Sequence, residues 1–498
     1  MAYKPTIGLE IHAELKTNSK MFCGCKNDSD EKRPNFNICP VCTAQPGALP
    51  VANEEAVKKV IKTGLALNCE IAPESKFDRK NYFYPDLPKG YQISQYDMPL
   101  CQKGFLEING RKIKITRIHL EEDTGSLMHP ENTDYSLVNL NRAGVPLMEL
   151  VTEPDITSGK EARKFAQELQ LILRYLEVSD TDMEKGQMRV EVNISLAKAQ
   201  GPKSKVQKFG TKVEIKNLNS FKVVEKSIDY EIKRQSEVLD AREKVVQETR
   251  GWHDKKGITF SQREKEEAHD YRYFPEPDLP AMHFDKDYVK EIKLIMPELP
   301  EQRRERFKKE YGLDEKSAEF FVVNKDLGEY FEKVVSEFEE WTEEQEKGEI
   351  HKKVSKLVAN YLITDIMWLN QGEFSRQGPH QGGAVAGKIT PENFAEFIKM
   401  IYKGEISSKV AKTVLLEMFN TGADPSNFVD ENNLRQMSDD SGLEKIIKEV
   451  ISKNPKAVQD YKAGKQNAIQ FLAGQVMAQT RGRANPEQTR ELLKKLLK

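Results

Sequence analysis

The chain has 498 residues, a formal net charge of −2, and 31% charged and 38% hydrophobic residues. This length is too great for one hydrophobic core and predicts two to four domains. No run of about 18 apolar residues occurs, so no membrane span is expected. Residues 1–12 lack the apolar core of a signal peptide. We therefore expect a cytoplasmic protein, whose net charge gives no general attraction to nucleic acid.

The first 295 residues contain several segments with the pattern of half-buried strands. Apolar and polar side chains alternate in residues 113–118 (IKITRI) and 189–194 (RVEVNI). Residues 212–215 (KVEI) read similarly. Strict alternation over such lengths predicts strands with one face on a core.

Two helices are predicted among these strands. Ser158 and Glu161 form a capping box, which apolar residues follow at helical spacing. A second helical pattern follows residues 216–221, where Asn219 or Ser220 is the natural N-cap. Strands and helices are interspersed without regular β–α–β alternation, which predicts an α+β fold with a mainly antiparallel sheet.

The composition changes after residues 297–300. Helical patterns with charged outer faces continue to Leu369, and the glycine-rich residues 370–388 predict a mobile loop. Short helices follow from Thr390. We therefore predict three domains: an α+β body at 1–295, a helical domain at 296–402 and a small helical tail at 403–498.

The end of the chain is basic. Only Glu487 and Glu491 oppose its cations from residue 463 onward. Such a surface can hold a polyanion, or it can be an ordinary solvated helix face. The cations are Lys465, Arg481, Arg483, Arg490, Lys494, Lys495 and Lys498.

An eleven-residue signature occurs twice. Residues 78–88 read DRKNYFYPDLP and residues 270–280 read DYRYFPEPDLP. This mixture of cations, rings, carboxylates and prolines fits neither an amphipathic helix nor an alternating strand. Prolines restrict the backbone, and charges are costly to bury unpaired. The signature indicates a rigid segment beside a site for a charged ligand, or a structural proline turn repeated by chance.

Four cysteines form two close pairs, Cys23 with Cys25 and Cys39 with Cys42. Two such pairs separated by a short loop match the tetrahedral coordination of zinc. Disulfides fit a cytoplasmic chain poorly, and free structural cysteines are expected singly. Because four thiolates would close the site, the zinc is predicted to be structural.

Acidic residues and one histidine occur within or beside the strand patterns. Glu10 and His12 alternate on a predicted strand, so their side chains share one face. Carboxylates on an inner sheet face are costly unless they are paired or bind a metal, and oxygen ligands with an imidazole suit Mg²⁺ or Mn²⁺. Each acid alone can be an ordinary surface residue, but the set indicates a metal site. Its members are Glu10, His12, Glu121, Glu122, Asp123, Glu149, Glu191 and Glu214.

Of two glycine-containing loops, one has the residues expected of a phosphate site and the other does not. Residues 141–146 (NRAGVP) offer a cation among small residues, which suits contact with a phosphate or carboxylate. Residues 382–388 resemble a P-loop, but Ile389 follows where a Ser or Thr hydroxyl is needed, and no buried strand precedes them. A nucleotide is therefore expected elsewhere.

Together these motifs resemble the B subunits of the glutamyl/aspartyl-tRNA amidotransferases. The resemblance covers nearly the whole chain. The archaeal glutamate-only paralogue is similar but carries a large inserted synthetase-like domain, for which 498 residues leave no room. The matching motifs are Ile7–His12, Ser75–Asp86, Tyr91–Gln95, Glu121–Gly125, Asn141–Gly144, Lys216–Phe221 and Asp270–Pro275.

The resemblance implies a ligase that forms a carbon–nitrogen bond with glutamine as the amide donor. ATP, with Mg²⁺, would phosphorylate the side-chain carboxylate of glutamate on the glutamine tRNA or of aspartate on the asparagine tRNA. Ammonia would then displace phosphate from the acyl phosphate. The implied fold is a glutamine-synthetase-like first domain and a tRNA-binding tail.

The resemblance also implies partners. A glutaminase (amidase) subunit would supply ammonia, and a small third subunit would complete a heterotrimer that binds misacylated tRNA. An alternative role within the same complex is a non-catalytic adaptor that binds tRNA and presents it to the glutaminase.

The family's functional positions can be carried over motif by motif. Lys80 is placed to meet phosphate or the substrate carboxylate, with Arg79 beside it. Glu149 is a further candidate, and Glu191 stands where the family pattern has aspartate, as a ligand or base. The cysteine quartet, present in part of the family, implies structural Zn²⁺. The implied Mg²⁺ ligands are Glu10, His12, Glu122 and Glu214.

Overall fold

A computed structural model describes most of the chain, in two compact units of residues 1–300 and 301–498. No helix among the described residues is both long and apolar enough to cross a membrane. The described residues are 3–198, 209–264, 271–338, 347–369, 386–436, 440–465, 467–480 and 482–497.

The first unit is built on a nine-stranded sheet. The spatial order is β14 (Ile258–Glu264), β13 (Glu248–His253), β12 (Val213–Leu218), β11 (Met188–Lys198), β1 (Tyr3–Glu14), β10 (Pro146–Thr152), β7 (Arg111–Glu122), β6 (Cys101–Ile108) and β2 (Glu70–Ile71). Strands β12 and β13 pair in parallel, and the other neighbours pair in antiparallel fashion. The predicted strand segments 113–118 and 189–194 lie in β7 and β11, and the segment 212–215 begins one residue before β12, so those predictions are confirmed.

Three small sheets complete the strand structure. In one of them the two copies of the signature pair with each other, with Arg79 opposite Phe274 and Asp78 opposite Pro275. The sheets are β15 (Phe274–Pro275) with β4 (Asp78–Asn81) and β5 (Tyr91–Ser94), β16 (Met282–His283) with β3 (Glu74–Ser75), and β8 (Ser126–Met128) with β9 (Leu137–Asn139).

Two helices of this unit begin at predicted capping residues, Ser158 and, of the alternatives Asn219 and Ser220, Ser220. Ser158 accepts a hydrogen bond from the Glu161 amide at 3.2 Å, and Ser220 accepts one from the Val223 amide at 3.2 Å. Each hydroxyl satisfies an amide that has no partner within its helix. The helices are α1 (Glu54–Ala66), α2 (Gly159–Tyr175), α3 (Phe221–Asp240) and α4 (Lys286–Leu294).

Strand alternation gives the sheet two chemically different faces. Leu9, Ile11 and Ala13 of β1 are buried in the core formed with helices α1, α2 and α3. Successive side chains of a strand point to opposite faces, so Glu10 and His12 lie on the face away from those helices. The fold thus separates an apolar packing face from a polar one.

From Pro300 onward the described residues form helices, which together with the sheet unit confirms the α+β prediction. Buried apolar side chains form two clusters there, within residues 307–429 and 443–497. The domain boundary at residue 402 stays a prediction, and residues 370–385 of the predicted loop lie outside the described part. The helices are α5 (Pro300–Glu310), α6 (Glu315–Val323), α7 (Lys325–Ser336), α8 (Lys347–Tyr361) with a π-helical turn (Leu362–Ile366), α9 (Pro391–Tyr402), α10 (Ser408–Thr421), α11 (Pro425–Glu431), α12 (Asp440–Lys453), α13 (Pro455–Lys462), α14 (Asn467–Gln479) and α15 (Pro486–Leu497).

The basic end of the chain presents part of its charge to solvent. Arg490, Lys494 and Lys495 are exposed on α15. Lys465 is paired with Asp460 at 3.0 Å. Two of the predicted cations, at positions 481 and 498, lie outside the described residues.

Candidate active site and cysteine cluster

The polar face of the sheet brings carboxylates and imidazoles from neighbouring strands together. His12 on β1 lies opposite Glu149 on β10, and Glu10 lies opposite Glu191 on β11. Glu149 in turn lies opposite His119 on β7. Residues directly opposite on adjacent strands point to the same face, so these side chains form one continuous row, here called the acidic face.

The acidic face contains overlapping groups whose ligand atoms fit a divalent cation. Nε2 of His12 lies 3.3 Å from Oε2 of Glu149, and Nε2 of His119 lies 3.4 Å from the same oxygen. Carboxylate oxygens with an imidazole nitrogen suit Mg²⁺ or Mn²⁺. Within each group the ligand atoms lie within 4.8 Å of one another; the groups are Glu10–His12–Glu149, His119–Glu121–Glu149 and Glu10–Glu191–Glu214.

Glu149 is shared by two of these groups and is held ionised. Its burial opposes ionisation, but the charges and hydrogen bonds of His119 and His12 outweigh burial and lower the pKa of Glu149 well below its usual value. Burial likewise lowers the pKa of His12, yet its hydrogen bond to Glu149 and the nearby carboxylates prevail and raise that pKa to about 9. Glu149 is therefore a fixed negative charge in the centre of the face.

The negative charge of Glu10, Glu191 and Glu214 in the acidic face is less completely neutralised by nearby cations. Burial, together with the charges of Glu149 and Glu191, raises the pKa of Glu10 to about 7. Lys216 partly offsets this charge, because its Nζ lies 3.0 Å from Oε2 of Glu191 and 3.7 Å from Oε1 of Glu214. A bound divalent cation would supply the compensation that Lys216 alone does not complete.

The metal-free protein should lose stability as pH rises from about 5 to about 9. The pKa of Glu10 is raised from 4.5 to about 7 on folding, so the stability it contributes below pH 4.5 is lost as pH rises through about 7. The pKa of His12 is raised from 6.5 to about 9, so the stability that His12 contributes is lost as pH rises between these two values. Added Mg²⁺ should restore part of the loss, because it favours the ionised carboxylate and the neutral imidazole. Thermal unfolding across this range, with and without Mg²⁺, checks this; a metal-free melting temperature that rises with pH would contradict it.

Lys80 lies on β4, in the three-stranded sheet, and is directed toward the acidic face. Burial lowers its pKa, but attraction to Glu121 and Glu149 prevails and the pKa is raised, so the amine is charged. Its Nζ also lies 5.1 Å from the centre of the Tyr271 ring, in the second signature. This cation is placed to neutralise a negative group that enters between the two signatures and the sheet.

Arg79 joins the two signatures. Its guanidinium donates two hydrogen bonds to Glu276, Nε to Oε2 at 2.7 Å and Nη2 to Oε1 at 2.8 Å. It also lies 4.3 Å from the centre of the Tyr91 ring. Because its donors are engaged within the protein, Arg79 is arranged to hold the signatures together and thereby to position Lys80.

The structure does not bring Glu122 into the acidic face. Its Oε1 accepts a hydrogen bond from the Ile93 amide at 2.9 Å, and its Oε2 pairs with Lys89 at 2.7 Å. The preceding residue, Glu121, points to the acidic face, where its Oε2 lies 3.5 Å from Nε2 of His119. Of the four implied Mg²⁺ ligands, Glu10, His12 and Glu214 lie in the groups described above.

The loop at residues 141–146 contributes a cation that already has a partner. Nε of Arg142 lies 3.2 Å from Oδ2 of Asp123, and Nη2 of Arg189 lies 3.0 Å from the same oxygen. Asn141 accepts hydrogen bonds from the amides of Phe36 and Asn37. The loop therefore connects the acidic sheet to the cysteine-rich segment.

The four cysteines are arranged as a zinc site requires. The Sγ atom of Cys42 lies 3.4, 3.8 and 3.7 Å from those of Cys23, Cys25 and Cys39. Tetrahedral zinc with Zn–S bonds of about 2.3 Å places its sulfur atoms about 3.8 Å apart. A hydrogen bond from Cys23, aided by the charge of the buried Lys20, lowers the pKa of Cys42 to about 4. The donor set fits a closed structural Zn²⁺ site.

Metal analysis of the purified protein should find about one zinc per chain, because four thiolates fill one tetrahedral site. Cys39→Ser should lose that zinc and lower the melting temperature. Cys69→Ser, which removes a buried thiol outside the cluster, should retain it. A wild-type protein that is fully folded without zinc would contradict the assignment.

Two protein families and several relatives match this chain. The family described as the GatB/GatE catalytic domain matches residues 5–290, and the family described as the GatB domain matches residues 336–497. Two similar relatives are B subunits of aspartyl/glutamyl-tRNA(Asn/Gln) amidotransferases. That of Persephonella marina is 48% identical over 502 residues, with 100% of both chains covered. That of Thermotoga maritima is 46% identical over 508 residues, covering 100% of this chain and 99% of the relative. The chain belongs to this family of amidotransferase B subunits.

The match to the GatB/GatE catalytic domain contains the whole acidic face and both signatures. Sequence reasoning assigned no role to His119 and named Glu122, rather than Glu121, as the implied Mg²⁺ ligand. Strand alternation was the available signal, since residues 117, 119 and 121 of β7 share a face. Glu276 was also missed, because its role depends on pairing with Arg79, 197 residues away.

Proposed function

We propose that this chain amidates misacylated tRNA in two steps that consume ATP. The side-chain carboxylate of glutamate or aspartate on the tRNA attacks the γ-phosphorus of ATP, which forms an acyl phosphate and releases ADP. Ammonia then attacks the acyl carbon, and inorganic phosphate leaves. The product is glutamine or asparagine attached to the tRNA.

The observation that carries this proposal is the position of Lys80 against the acidic face. A carboxylate is a poor electrophile, and its attack on ATP brings negative groups together. The half-buried ammonium of Lys80, attracted to Glu121 and Glu149, gives those negative groups a preorganised positive partner. Mg²⁺ held by the acidic face would neutralise charge on the transferring phosphoryl group.

Four other residues are proposed to position the reacting groups or to accept a proton. Arg79 and Glu276 hold the signature that carries Lys80. Glu191 lies beside Glu10 on the sheet and is the candidate base for the proton that ammonia loses when the amide forms. Lys216 fixes the orientation of Glu191 through its contact at 3.0 Å.

The proposal includes partners. A glutaminase subunit would supply ammonia, and a small third subunit would complete a heterotrimer. The described chain offers exposed cations on α15, which suit contact with the tRNA backbone. Zn²⁺ would stabilise the cysteine-rich segment and have no role in the reaction.

Ammonium chloride should replace glutamine as the nitrogen donor in the assembled complex, with ATP still required. The reason is that this chain activates the carboxylate, whereas the partner makes only ammonia. The assay measures amide on Glu-tRNA and Asp-tRNA side by side, with ADP formed. Failure of ammonium chloride to support ATP-dependent amidation would contradict the proposal.

The adaptor alternative makes a different prediction for Glu10→Ala. A chain that only presents tRNA would amidate normally with this substitution, whereas a catalytic chain would lose phosphoryl transfer and keep tRNA binding. Glu107→Ala, at an exposed position on β6, is the matched control and should behave as wild type in both assays.

A further inference from the structure

A group of exposed aromatic rings surrounds the signatures beside the candidate active site. Phe83 is 89% exposed, although an aromatic ring is normally costly to leave in water. It belongs to the loop between β4 and β5, and the other rings lie on the same three-stranded sheet or the segments that flank it. We call this group the stacking ridge; its members are Phe83, Tyr84, Tyr96, Tyr271 and Phe274.

Contacts within the protein fix two parts of the stacking ridge, the loop that carries Phe83 and the Tyr96 ring. The Leu87 amide donates to the Tyr84 carbonyl at 3.0 Å, which closes a turn, and Lys89 anchors the end of the loop to Glu122 at 2.7 Å. Tyr96 stacks on Tyr273, with ring centres 4.1 Å apart. Rings held in this way lose little conformational freedom when a ligand stacks on them.

The ridge is close enough to the acidic face to share a ligand with it. Phe83 is three residues from Lys80, and three residues span at most about 11 Å. Lys80 is attracted to Glu121 and Glu149 of the acidic face. A ligand whose reacting end lies at Lys80 can therefore extend its next rings over Phe83.

The shape of the ridge favours a strand of bases over a single nucleotide. The cleft beside Phe83 has a volume of about 470 Å³ and is lined by apolar side chains and backbone. It is bounded by exposed rings, whereas small-molecule sites normally enclose most of their ligand. A series of exposed rings beside a cation such as Lys80 is typical of surfaces that bind single-stranded nucleic acid by stacking.

We propose that the stacking ridge binds the unpaired 3′-terminal bases of the substrate tRNA, so that the attached amino acid reaches Lys80. This rests on the proposed function, which makes an aminoacyl-tRNA the substrate. The bases stack on Phe83 and its neighbours, and the ridge recognises the end of the tRNA without regard to its amino acid.

The test uses the assembled complex and two forms of one tRNA, intact and lacking its unpaired 3′ nucleotides. Phe83→Ala should weaken binding of the intact tRNA roughly 5- to 150-fold, the range for loss of one base-stacking contact. It should leave binding of the truncated tRNA unchanged. Phe83→Trp should bind as wild type, and Phe83→Leu, which keeps an apolar side chain without a ring, should behave as Phe83→Ala. Phe260→Ala, which removes an exposed ring of β14, is the control.

Several results would overturn the proposal. Wild-type binding by Phe83→Leu would indicate simple apolar docking, and an equal loss with truncated tRNA would indicate a general change in the loop. Weaker ATP binding with unchanged tRNA binding would assign the ridge to the nucleotide, and loss of complex assembly would assign it to a protein partner. If the wild-type complex fails to amidate any tRNA, the proposed function itself fails; if it amidates and Phe83→Ala binds intact tRNA normally, only the ridge is wrong.

Discussion

Glu149→Gln should reduce ATP-dependent amidation by roughly 10²- to 10³-fold, in the range seen when one preorganised electrostatic contact is removed from an active site. Glu149 is shared by two groups of potential metal ligands and lies within 3.5 Å of both His12 and His119. Glutamine keeps the size of the side chain but removes the negative charge that the two imidazoles and a cation require. The measurement is the initial rate with ammonium chloride as nitrogen donor, so that the glutaminase is not involved.

The matched control for Glu149→Gln is Glu107→Gln, at an exposed position on the same sheet. It should amidate at the wild-type rate. Binding of tRNA by Glu149→Gln should be unchanged, which separates loss of chemistry from loss of the fold. An amidation rate close to wild type would show that Glu149 has no part in the reaction.

Glu276→Ala should destabilise the sheet unit by about 3 kcal/mol, the low end of the range for removing one partner of a buried ion pair. The Glu276 side chain is fully buried, and Arg79 is 20% exposed. Without Glu276 the guanidinium keeps its longer ion pair with Asp278, at 3.4 Å, and its contact with the Tyr91 ring. Denaturant unfolding measures the loss, and amidation should also fall because Lys80 is carried by the same strand.

A double-mutant cycle with Arg79→Met tests whether the pair itself is responsible. The double variant should be less destabilised than the sum of the single changes, because methionine fills the space without leaving an unpaired charge. The more exposed pair of Arg163 and Glu225 is the control. Glu225→Ala should cost less than about 1 kcal/mol. A similarly small cost at Glu276 would mean that the signatures are held together by other contacts.

The sequence predicted the strands and helices of this fold better than the contacts between them. Alternation predicted the strands β7 and β11, and the caps at Ser158 and at Asn219 or Ser220 predicted two helix starts. These signals are local, so a short window of sequence contains them. The pairing of the two signatures depends on contacts 197 residues apart, for which no local pattern exists.

The three acidic residues 121–123 show that the sequence alone also could not identify which carboxylate lies in the site. Glu121 and Glu122 end β7 and Asp123 follows it, and only the pleat of the strand decides which carboxylate points to the acidic face. Pairing of Glu149 with His119 fixes that register and puts Glu121 on the face. Glu122 then points to the other side, where Lys89 and the Ile93 amide accommodate it. The resemblance implied Glu122 as the Mg²⁺ ligand, and that assignment stays a prediction.

The central claim is that this chain activates the substrate carboxylate with ATP, and an oxygen-transfer measurement tests it most directly. The tRNA is charged with glutamate in which both oxygens of the side-chain carboxylate are ¹⁸O, and the assembled complex amidates it with ATP and ammonium chloride. If an acyl phosphate forms, each phosphate released should carry one ¹⁸O atom from the carboxylate. Phosphate released with amide formation but without ¹⁸O would contradict the account.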